Sequence, residues 1–571
     1  AVGAAAALGD LDGNGLSDDV CYVDTRTDMV IVTPVPSTTA RYKAFSLSPA
    51  PLRYDPATMA PTGCLFGDVN EDGQLDILVY YWGRTPIVFL HQGNRYVPRE
   101  VISGLERWYT NAATLADLDG DGHVDLIIGN YCPDGARILD AYATGEESMQ
   151  ESLSRALNGG RKHLLLWDGS TKGAEPTIQY TEAKNVFPDE IDRGWTLAIG
   201  AVDVDGDLLP ELYFANDYGP DRFLHNRSTP GKLRFDLLKG TQTFITPHSS
   251  VLGRDSFKGM GVDFADLNSD GIPDMFVSNI TSEYGLLESN FLFLSTGKLN
   301  SMQMGIAPYV NRSEQLGLSR SGWAWDAKLV DFDNDAVSEA IQAIGFIKGA
   351  TNRWPELQEL GIGNDNLLHT PRSWPYVQPG DDISGHQHNA FFVRAQDNRY
   401  YDLAAEVGLA DSFVSRGIAV ADVDGDGALY FVLANQWEQS YFFHNKSSVR
   451  GAFLGLHLLL PLNDRNSSKT FARPGHPAAD TSGRAAIGAA ATLYLPDGRR
   501  LVSEVDGGNG HSGKRSSELH FGLGNSHGDT PVKVELRWRD PEGQVNRETL
   551  SLRPGWHTVV LGRRSKGGAH D

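Results

Sequence analysis

The chain has 571 residues, of which 62 are glycine and 10% are aromatic, and its formal net charge is −23. No apolar run approaches the roughly 18 residues of a transmembrane helix, so no membrane span is predicted. Residues 451–571 carry a net charge of +4 and residues 1–450 carry −27, so the acidity is confined to the first part and nothing indicates nucleic-acid binding. This asymmetry predicts a boundary near residue 450.

The cysteine content and the start of the chain bear on the cellular compartment. Cys21, Cys64 and Cys132 are too few for a disulfide framework, and either one bridge with a free thiol or no bridge is compatible with them. The chain opens on Ala1 without an initiator Met, which we interpret as a processed or trimmed end that lacks its signal peptide. An extracytoplasmic protein, secreted or periplasmic, is expected.

A nine-residue acidic pattern recurs seven times. Its most complete copy, residues 117–125, has acidic side chains at positions 1, 3, 5 and 9 and glycine at position 6. Ca²⁺ takes six to eight oxygen ligands, to which the carbonyl of position 7 contributes, and glycine permits the sharp turn. The last carboxylate stands at position 9, not at the twelfth position of an EF-hand, and a strand-like apolar run follows. The pattern predicts a calcium loop between two β-strands.

The seven loops start at Asp10, Asp68, Asp117, Asp203, Asp266, Asp331 and Asp422. The predicted ligands are Asp10, Asp12, Asn14, Leu16 and Asp18; Asp68, Asn70, Asp72, Gln74 and Asp76; Asp117, Asp119, Asp121, His123 and Asp125; Asp203, Asp205, Asp207, Leu209 and Glu211; Asp266, Asn268, Asp270, Ile272 and Asp274; Asp331, Asp333, Asp335, Val337 and Glu339; and Asp422, Asp424, Asp426 and Ala428. Up to seven Ca²⁺ ions are expected. Leu208 and Ala336 stand where glycine is expected, and Tyr430 takes position 9, so occupancy of those three loops stays open.

The loops mark a structural repeat. Their starts lie between 49 and 91 residues apart, a spacing typical of solenoids and propellers. A small or apolar strand precedes each loop, a hydrophobic strand follows it, and a further strand often ends in Phe/Leu-His-Asn. Four strands per unit and seven units predict an all-β fold with a seven-bladed β-propeller, whose ring closure protects the sheet edges.

Two long insertions follow the second strand of the third and sixth units. The third unit's insertion has a capping box at Thr144 and Glu147 and a helical apolar stripe, and in the sixth a short helix is predicted over residues 355–360. Because turns alternate between the faces of an up-and-down sheet, the calcium loops should lie on one face and both insertions on the other.

Aromatic and basic residues precede several loops by about eight positions, near the starts of the first strands. On a propeller they would surround the channel mouth opposite the calcium loops and could bind an anionic or aromatic ligand, or they could instead pack between blades. The candidate ligand-binding residues are Arg193, Trp195, Lys258, Trp323, Trp325 and Arg416.

From Gly451 onwards the repeats stop and alternating apolar runs predict a small antiparallel β domain. The predicted boundaries are 1–450 for the propeller, 451–565 for the β domain and 566–571 for a tail. The last blade lacks an obvious outer strand, which either residues upstream of Ala1 or the stretch 453–457 would supply.

Two groups of motifs resemble known families. The repeats resemble FG-GAP/VCBS repeats, the units of the integrin α-subunit propeller. The run from Ala486 through the His520–Gly524 motif to Trp538 is similar to the ASPIC/UnbV domain. This combination is typical of cartilage acidic protein-like proteins and their bacterial relatives, some of them encoded near enediyne-type biosynthetic genes.

Two functions remain open at this point. The first is a calcium-stabilised recognition module that binds a protein, glycan or small ligand at the face opposite the loops. The second, implied by the biosynthetic relatives, is a calcium-dependent enzyme that forms carbon–carbon bonds or cyclises its substrate at the channel mouth. Motifs of zinc proteases, serine hydrolases and P-loop enzymes are absent from the sequence, and His386 with His388 could hold a transition metal or lie on a loop surface.

Overall fold

The computed structural model describes residues 3–36, 38, 41–145, 147–282, 288–362, 365–462, 469–478, 480–524 and 530–563. The predicted tail, 566–571, lies outside these residues. The fold is all-β: nearly all regular structure in the described residues is strand, which confirms the predicted class. None of the described helices is long and apolar enough to cross a membrane.

Seven sheets follow one another along the chain, and in each the acidic loop connects the first two strands. Sheet 1 contains β1 (Ala5–Gly9), β2 (Asp19–Asp24), β3 (Met29–Pro34) and β4 (Phe45–Ser46); sheet 2 contains β5 (Ala60–Gly67), β6 (Asp76–Trp82), β7 (Ile87–Gln92) and β8 (Arg95–Glu100); sheet 3 contains β9 (Thr110–Ala116), β10 (Asp125–Asn130), β11 (Gly160–Thr171) and β12 (Thr177–Glu182), and β13 (Arg193–Gly194) also pairs with β11.

The remaining repeat sheets have the same order. Sheet 4 contains β14 (Thr196–Val202), β15 (Glu211–Asn216), β16 (Arg222–Asn226) and β17 (Phe235–Leu238); sheet 5 contains β18 (Gly261–Ala265), β19 (Asp274–Ser278), β20 (Phe291–Ser295) and β21 (Tyr309–Asn311); sheet 6 contains β22 (Ala324–Val330), β23 (Glu339–Ile344), β26 (Ala390–Arg394) and β27 (Tyr400–Asp402), with the pair β24 (Thr351–Asn352) and β25 (Asp381–Asp382) in its insertion; sheet 7 contains β28 (Ser415–Ala421), β29 (Tyr430–Asn435) and β30 (Tyr441–Phe443).

The first strands of the seven sheets contact one another in cyclic order. Each first strand lies beside the next, and β28 of sheet 7 lies beside β1 of sheet 1. Strands such as β1 and β28 consist largely of alanine, glycine and valine and are buried along their whole length. Small side chains allow seven strands to approach a common centre, and the larger apolar residues of the second and third strands fill the space between neighbouring sheets.

Sheet 7 has three strands in the described part of the chain, so the predicted closure by residues 453–457 is wrong. Those residues belong to β31 (Ala452–Leu460), which pairs within the C-terminal segment. Tyr441 and Phe443 of β30, the outermost strand of sheet 7, remain partly exposed.

The C-terminal segment, residues 451–563, forms two sheets around one apolar core. Sheet 8 contains β31, β32 (Phe471–Pro474), β33 (Arg484–Ala485), β37 (Leu519–Gly524) and β40 (Gly555–Val560); sheet 9 contains β34 (Ala490–Tyr494), β35 (Arg500–Glu504), β38 (Val532–Arg539) and β39 (Val545–Leu552). The predicted β structure is confirmed, although β31 and β40 pair in parallel rather than antiparallel. The short strand β36 (Gly513–Lys514) belongs to neither of these two sheets and instead pairs with β1 of sheet 1.

The helices are short. They are α1 (Asp189–Asp192), α2 (Ser313–Leu316), α3 (Trp354–Ile362) and α4 (Asp365–Leu368), with 3₁₀ turns at His248–Ser250, Leu299–Met304 and Pro371–Ser373. The helix predicted in the sixth unit's insertion is confirmed by α3. The helix predicted in the third is wrong: Glu147 accepts a hydrogen bond from the Arg137 amide (2.8 Å) instead of capping a helix, and turns held by side chains follow it.

The two insertions meet on one side of the ring. Asp365 in α4 accepts hydrogen bonds from the Ser152 hydroxyl (2.8 Å) and the Leu153 amide (3.0 Å) in the third unit's insertion. The three cysteines are buried and none forms a disulfide, which settles the alternative that the sequence left open.

Candidate functional site

The seven acidic loops share one backbone geometry. In every loop the position-1 aspartate accepts the amide hydrogen of position 6, at 2.7–3.1 Å. Position 6 adopts a left-handed conformation in all seven, including Leu208 (φ 65°) and Ala336 (φ 70°), where the sequence departs from glycine. The amide of position 7 donates to the side chain of position 5 in each loop. The loops are therefore pre-shaped, with side-chain oxygens of positions 1, 3 and 5 gathered on their inner side.

The closing residue of the first loop was predicted wrongly. Gly9 pairs with Asp19, whereas in the second loop Gly67 pairs with Asp76, so the first loop is one residue longer. The Leu11 amide donates to Asp19 (2.8 Å), in the way that corresponding amides donate to position 9 elsewhere. Asp19, not Asp18, lies with Asp10 and Asp12. The consecutive aspartates hid this shift in the sequence.

Buried carboxylates accumulate charge in the loops. Burial raises the pKa of the position-1 carboxyl groups, to about 7 for Asp68, Asp117 and Asp331, and to about 6 for Asp203. Neighbouring carboxylates raise these pKa values further, while backbone amides lower them. A dication bound among the oxygens would remove both the desolvation cost and the mutual repulsion. The donor sets of carboxylates, amides and carbonyls are those that Ca²⁺ prefers.

In the first and seventh loops, protein donors pair closely with the carboxylates, whereas the arginine ion pair of the fourth loop, Arg537 with Asp203, is longer at 3.9 Å. Arg41 forms ion pairs with Asp12, Asp18 and Asp19 of the first loop.

In the seventh loop, Asp422 accepts the Trp556 indole hydrogen (2.9 Å), Asp424 accepts the Tyr430 hydroxyl (2.9 Å), and Asp426 pairs with Arg450 (2.9 Å). Tyr430, which replaces the ninth carboxylate, thus supplies a donor where other loops supply an acceptor.

The C-terminal segment covers the loops. Its arginines donate to loop carbonyls: Arg484 to Gly122 (3.0 Å) and Arg537 to Gly206 (2.7 Å) are two examples. Arg539 likewise donates to the carbonyl of Asp207 (3.0 Å). Arg484, Arg537 and Arg539 therefore place positive charge against the acidic loops, in keeping with the charge asymmetry of the sequence.

Residues 506–516 of that segment, here named the plug, lie at the centre of the ring. Plug atoms form hydrogen bonds with the first strands of sheets 1, 3, 4, 6 and 7: Ser512 O with the Ala6 amide, Gly507 O with the Leu115 amide, Asn509 with both backbone groups of Ala201, the Gly513 amide with Asp326, and the Ser516 amide with Val420 O. Arg515 forms an ion pair with Asp263 of sheet 5. One segment touching so many first strands fills the channel.

The plug fits because it is rich in glycine. A Cβ at Gly513 would lie 2.1 Å from the Ile418 nitrogen, and one at Gly507 would lie 1.8 Å from the Leu115 oxygen. Inside the channel, Asp326 and Lys328 form a fully buried ion pair at 3.0 Å, and Asp326 also accepts the Ile418 amide (2.9 Å). The plug was not predicted from the sequence, although the glycines at 507, 508, 510 and 513 were a visible signal of it.

On the opposite face lies an apolar cavity of about 250 Å³. Its walls are mainly aromatic and come from the insertions and from the ends of second strands. The aromatic lining residues are Trp82, Tyr131, Tyr218, Trp323, Trp325, Phe346, Trp354 and Trp374. Trp323 stacks on Phe346 with ring centroids 4.4 Å apart, and Lys258 lies over the Tyr218 ring at 5.7 Å.

Two buried polar atoms of this cavity have no hydrogen-bond partner among the described residues. They are the Trp323 Nε1 donor and the Gln150 Oε1 acceptor, on side chains that are 7% and 5% exposed. Close by, Asp217 accepts the Tyr131 hydroxyl (2.7 Å), and burial raises the pKa of its carboxyl group. Unpaired buried donors and acceptors are costly, so such atoms on side chains that line a cavity are candidates for a partner that is not part of the chain.

The six candidate ligand-binding residues separate into two sets. Lys258, Trp323 and Trp325 line the cavity, and their binding of a ligand stays a prediction. The other three do not: Trp195 is buried behind Tyr131, Arg193 is exposed on β13, and Arg416 is fully buried.

Arg416 packs at 4.1 Å over the Trp325 ring and donates to the carbonyls of Gly345 and Phe346, which supports the packing interpretation for this residue. Lys258 and Trp323 are more buried than the sequence suggested, because the insertions fold over them. His386 and His388 approach different carboxylates, Asp382 (3.3 Å) and Asp402 (2.9 Å).

Comparisons with known proteins agree with the predicted resemblance. The ASPIC and UnbV family model matches residues 479–568, and the FG-GAP-like repeat model matches residues 68–128 and 203–277. No curated protein sequence matches the chain.

Similarity to solved structures is remote. The exotype rhamnogalacturonan lyase YesX is 12% identical, with 98% of this chain and 90% of that chain covered and a TM-score of 0.31. A sialidase of Trypanosoma rangeli is 10% identical, with 100% and 89% covered and a TM-score of 0.32. At these scores neither similarity carries an argument about function.

Proposed function

We propose, for a chain that combines FG-GAP-like repeats with an ASPIC/UnbV domain, that residues 1–450 form a calcium-stabilised seven-bladed β-propeller and residues 451–565 a second domain. Its function would be recognition of a ligand outside the cytoplasm, as is common for FG-GAP repeats. Seven consecutive sheets with cyclic contacts between their first strands support the blade number.

Calcium would bind the loops of sheets 2 to 6. In the described part of the chain, their predicted ligand carboxylates form no arginine ion pair as close as those of the first and seventh loops, and the pair of Arg537 with Asp203 is 3.9 Å long. The third loop has carboxylates at positions 1, 3, 5 and 9, and the backbone carbonyl of position 7 would add a fifth ligand. Its set of oxygen donors is therefore complete. The first and seventh loops would bind Ca²⁺ more weakly, since a bound ion must compete with arginine side chains for the same oxygens.

The aromatic cavity would be the recognition site. The observation that carries this proposal is the pair of polar atoms without a partner among the described residues, Trp323 Nε1 and Gln150 Oε1, on side chains that line a mainly aromatic cavity. A ligand that satisfies both carries an apolar or aromatic body, a hydrogen-bond acceptor and a donor, and it is small enough for about 250 Å³. Lys258 lines the wall with its Nζ 3.9 Å from the Glu288 carboxylate, and its charge would favour an acceptor with negative charge, such as a carboxylate.

The test uses a panel of small aromatic carboxylates, screened for binding to the intact chain by ligand-observed NMR. Trp323→Phe keeps a ring in the wall but removes the indole donor. We expect it to weaken binding about tenfold, because one hydrogen bond to a charged acceptor contributes about 1.4 kcal/mol or more.

The matched control is Trp437→Phe. Trp437 lies after β29 on the same face, is 49% exposed and does not line the cavity. Its substitution should leave binding unchanged. If no carboxylate binds the wild-type chain, or if Trp323→Phe binds as tightly as wild type, the cavity is not the recognition site that we propose.

A further inference from the structure

A histidine stands beside the fourth loop at a position where sheets 2, 3, 5 and 6 have apolar residues. In sheet 4, Leu212 pairs with Leu224, so the next residue, His225, lies across from Glu211, the closing residue of the loop. Sheets 2, 3, 5 and 6 pair in the same register. Their residues at the position of His225 are Leu90, Leu166, Leu294 and Val393.

His225 points into the carboxylate cluster of its loop. Its Nε2 lies 3.1 Å from the Asp205 carboxylate, and ligand atoms of Asp205, Glu211 and His225 all lie within 4.8 Å of one another. The side chain is 4% exposed. His225 Nδ1 and Asp205 Oδ1 are both buried without a hydrogen-bond partner in the described residues. Asp203 and Asp207 complete the cluster.

We propose that the fourth loop is a mixed nitrogen and oxygen site that binds a first-row transition-metal dication, of the class of Mn²⁺ or Zn²⁺, in preference to Ca²⁺. Ca²⁺ takes oxygen ligands, whereas imidazole suits Zn²⁺, Fe²⁺ and their neighbours, and carboxylates suit Mn²⁺. The inference rests on the proposed cation-binding function of the loops and assigns a different ion to one of them.

Contacts around the cluster hold these ligands in place. The Asn226 amide donates to Glu211 (3.3 Å), and its side chain donates to the Pro210 carbonyl (3.0 Å), which fixes the end of β16 against the loop. Glu504 of the C-terminal segment accepts the Asp203 amide (2.9 Å). Groups that orient ligands in this way commonly change metal affinity by roughly 10- to 100-fold.

The seventh unit contains the matched comparison. His444 follows Phe443, the partner of Phe431, so it lies across from Tyr430 as His225 lies across from Glu211. There the imidazole stacks on the Tyr430 ring and approaches its hydroxyl at 3.2 Å. A histidine at this position without a closing carboxylate makes an aromatic contact, and only sheet 4 combines it with Glu at position 9.

The test adds Mn²⁺ to the full chain after EDTA treatment, in the presence of a large excess of Ca²⁺. We expect a single Mn²⁺ ion to be retained, with nitrogen hyperfine coupling from imidazole in its pulsed EPR spectrum. His225→Gln should abolish the coupling and lower Mn²⁺ affinity by more than about tenfold. His444→Gln should change neither.

Displacement of Mn²⁺ by Ca²⁺, or bound Mn²⁺ without nitrogen coupling in the wild-type chain, would overturn the inference whatever the variants do. Radioactive calcium binding on the same samples separates it from the calcium proposal. Calcium bound elsewhere without nitrogen-coupled Mn²⁺ removes the inference alone, and nitrogen-coupled Mn²⁺ without any calcium removes the calcium proposal alone.

Discussion

The two faces of the ring are completed in different ways. On the loop face, the C-terminal segment supplies arginines to the loop carbonyls and a plug to the channel, so the chain covers its own surface. On the other face, the insertions build walls around a cavity, and Trp323 Nε1 and Gln150 Oε1 there have no hydrogen-bond partner among the described residues. With the proposed function, stabilisation of the fold and recognition of a ligand would lie on opposite sides of one set of strands.

The forces also differ between the faces. The loop face concentrates buried carboxylates, at which we propose that cations bind, whereas ion pairs between side chains of the protein support the insertion face. His163 is an example of the second kind: it lies between Asp134 (3.0 Å) and Glu182 (2.6 Å) and stacks on Trp108 at 3.8 Å. Asp134 belongs to the third unit's insertion, so this cluster ties the cavity wall to sheet 3.

Removal of calcium should have the largest effect and should act through the loop face. Each bound ion contributes about 2.7 kcal/mol when its free concentration is about 100-fold above Kd, and several loops add up. We expect EDTA to lower the melting temperature by more than about 10 °C and millimolar Ca²⁺ to restore it, measured by calorimetry. An unchanged melting curve would show that the loops do not depend on metal.

The plug should be the next most sensitive element. Gly513→Ala places a methyl group 2.1 Å from the Ile418 nitrogen, so we expect a loss of more than about 3 kcal/mol in the free energy of unfolding. Gly488→Ala in the same segment, where no atom lies within 4 Å of the new Cβ, is the control and carries only the strain of its positive φ. Similar losses of unfolding free energy in Gly513→Ala and Gly488→Ala would mean that the close fit of the plug in the channel contributes little to stability.

Asp121 and Asp426 occupy position 5 of the third and seventh loops and form a matched pair. Asp121→Ala removes a ligand from a complete site and should cost about 3 kcal/mol in millimolar Ca²⁺. Asp426→Ala removes a half-exposed ion pair with Arg450 and should cost about 1 kcal/mol or less. Denaturant titration with and without Ca²⁺ measures both, and equal costs would contradict the internal-cation interpretation of the seventh loop.

The smallest effect concerns the insertion face and is set by pH. Asp134 and Glu182 raise the pKa of His163 to about 9 against the opposing effect of burial. Because the pKa is raised in the folded state, the protonated imidazole stabilises the folded protein. This contribution is complete below the pKa of the unfolded chain, about 6.5, and is lost as the pH rises through about 9. His163→Gln should therefore cost about 2 kcal/mol more at pH 6 than at pH 10. A pH-independent difference would show that His163 contributes packing only.

The repeat architecture could be read from the sequence because each loop carries its signal locally. Nine consecutive residues specify the turn, and the strands that flank it follow from apolar patterning. Two local predictions were wrong. The first loop is one residue longer than the others, but two consecutive aspartates, Asp18 and Asp19, hide the extra residue in the sequence. The apolar stripe that includes Met149 has helical spacing but forms turns.

Features that depend on distant parts of the chain could not be read in this way. The plug joins Ser512 to Ala6, and the cavity joins the third unit's insertion to α4. Three of the six candidate ligand residues, Lys258, Trp323 and Trp325, line the cavity because the first strands begin at the face opposite the loops. Arg416 was misplaced because only the packed structure shows Trp325 covering it.

The position of the plug also dictates an order of events during synthesis. The segment that fills the channel lies beyond residue 505, so all seven sheets emerge from the ribosome before it. Until then, the buried pair of Asp326 and Lys328 lacks the plug residues that contact it, and sheets 1 and 7 have no plug to bridge them. The ring can begin to assemble from its first sheets, but its centre is filled last, by residues that follow all seven sheets in the chain.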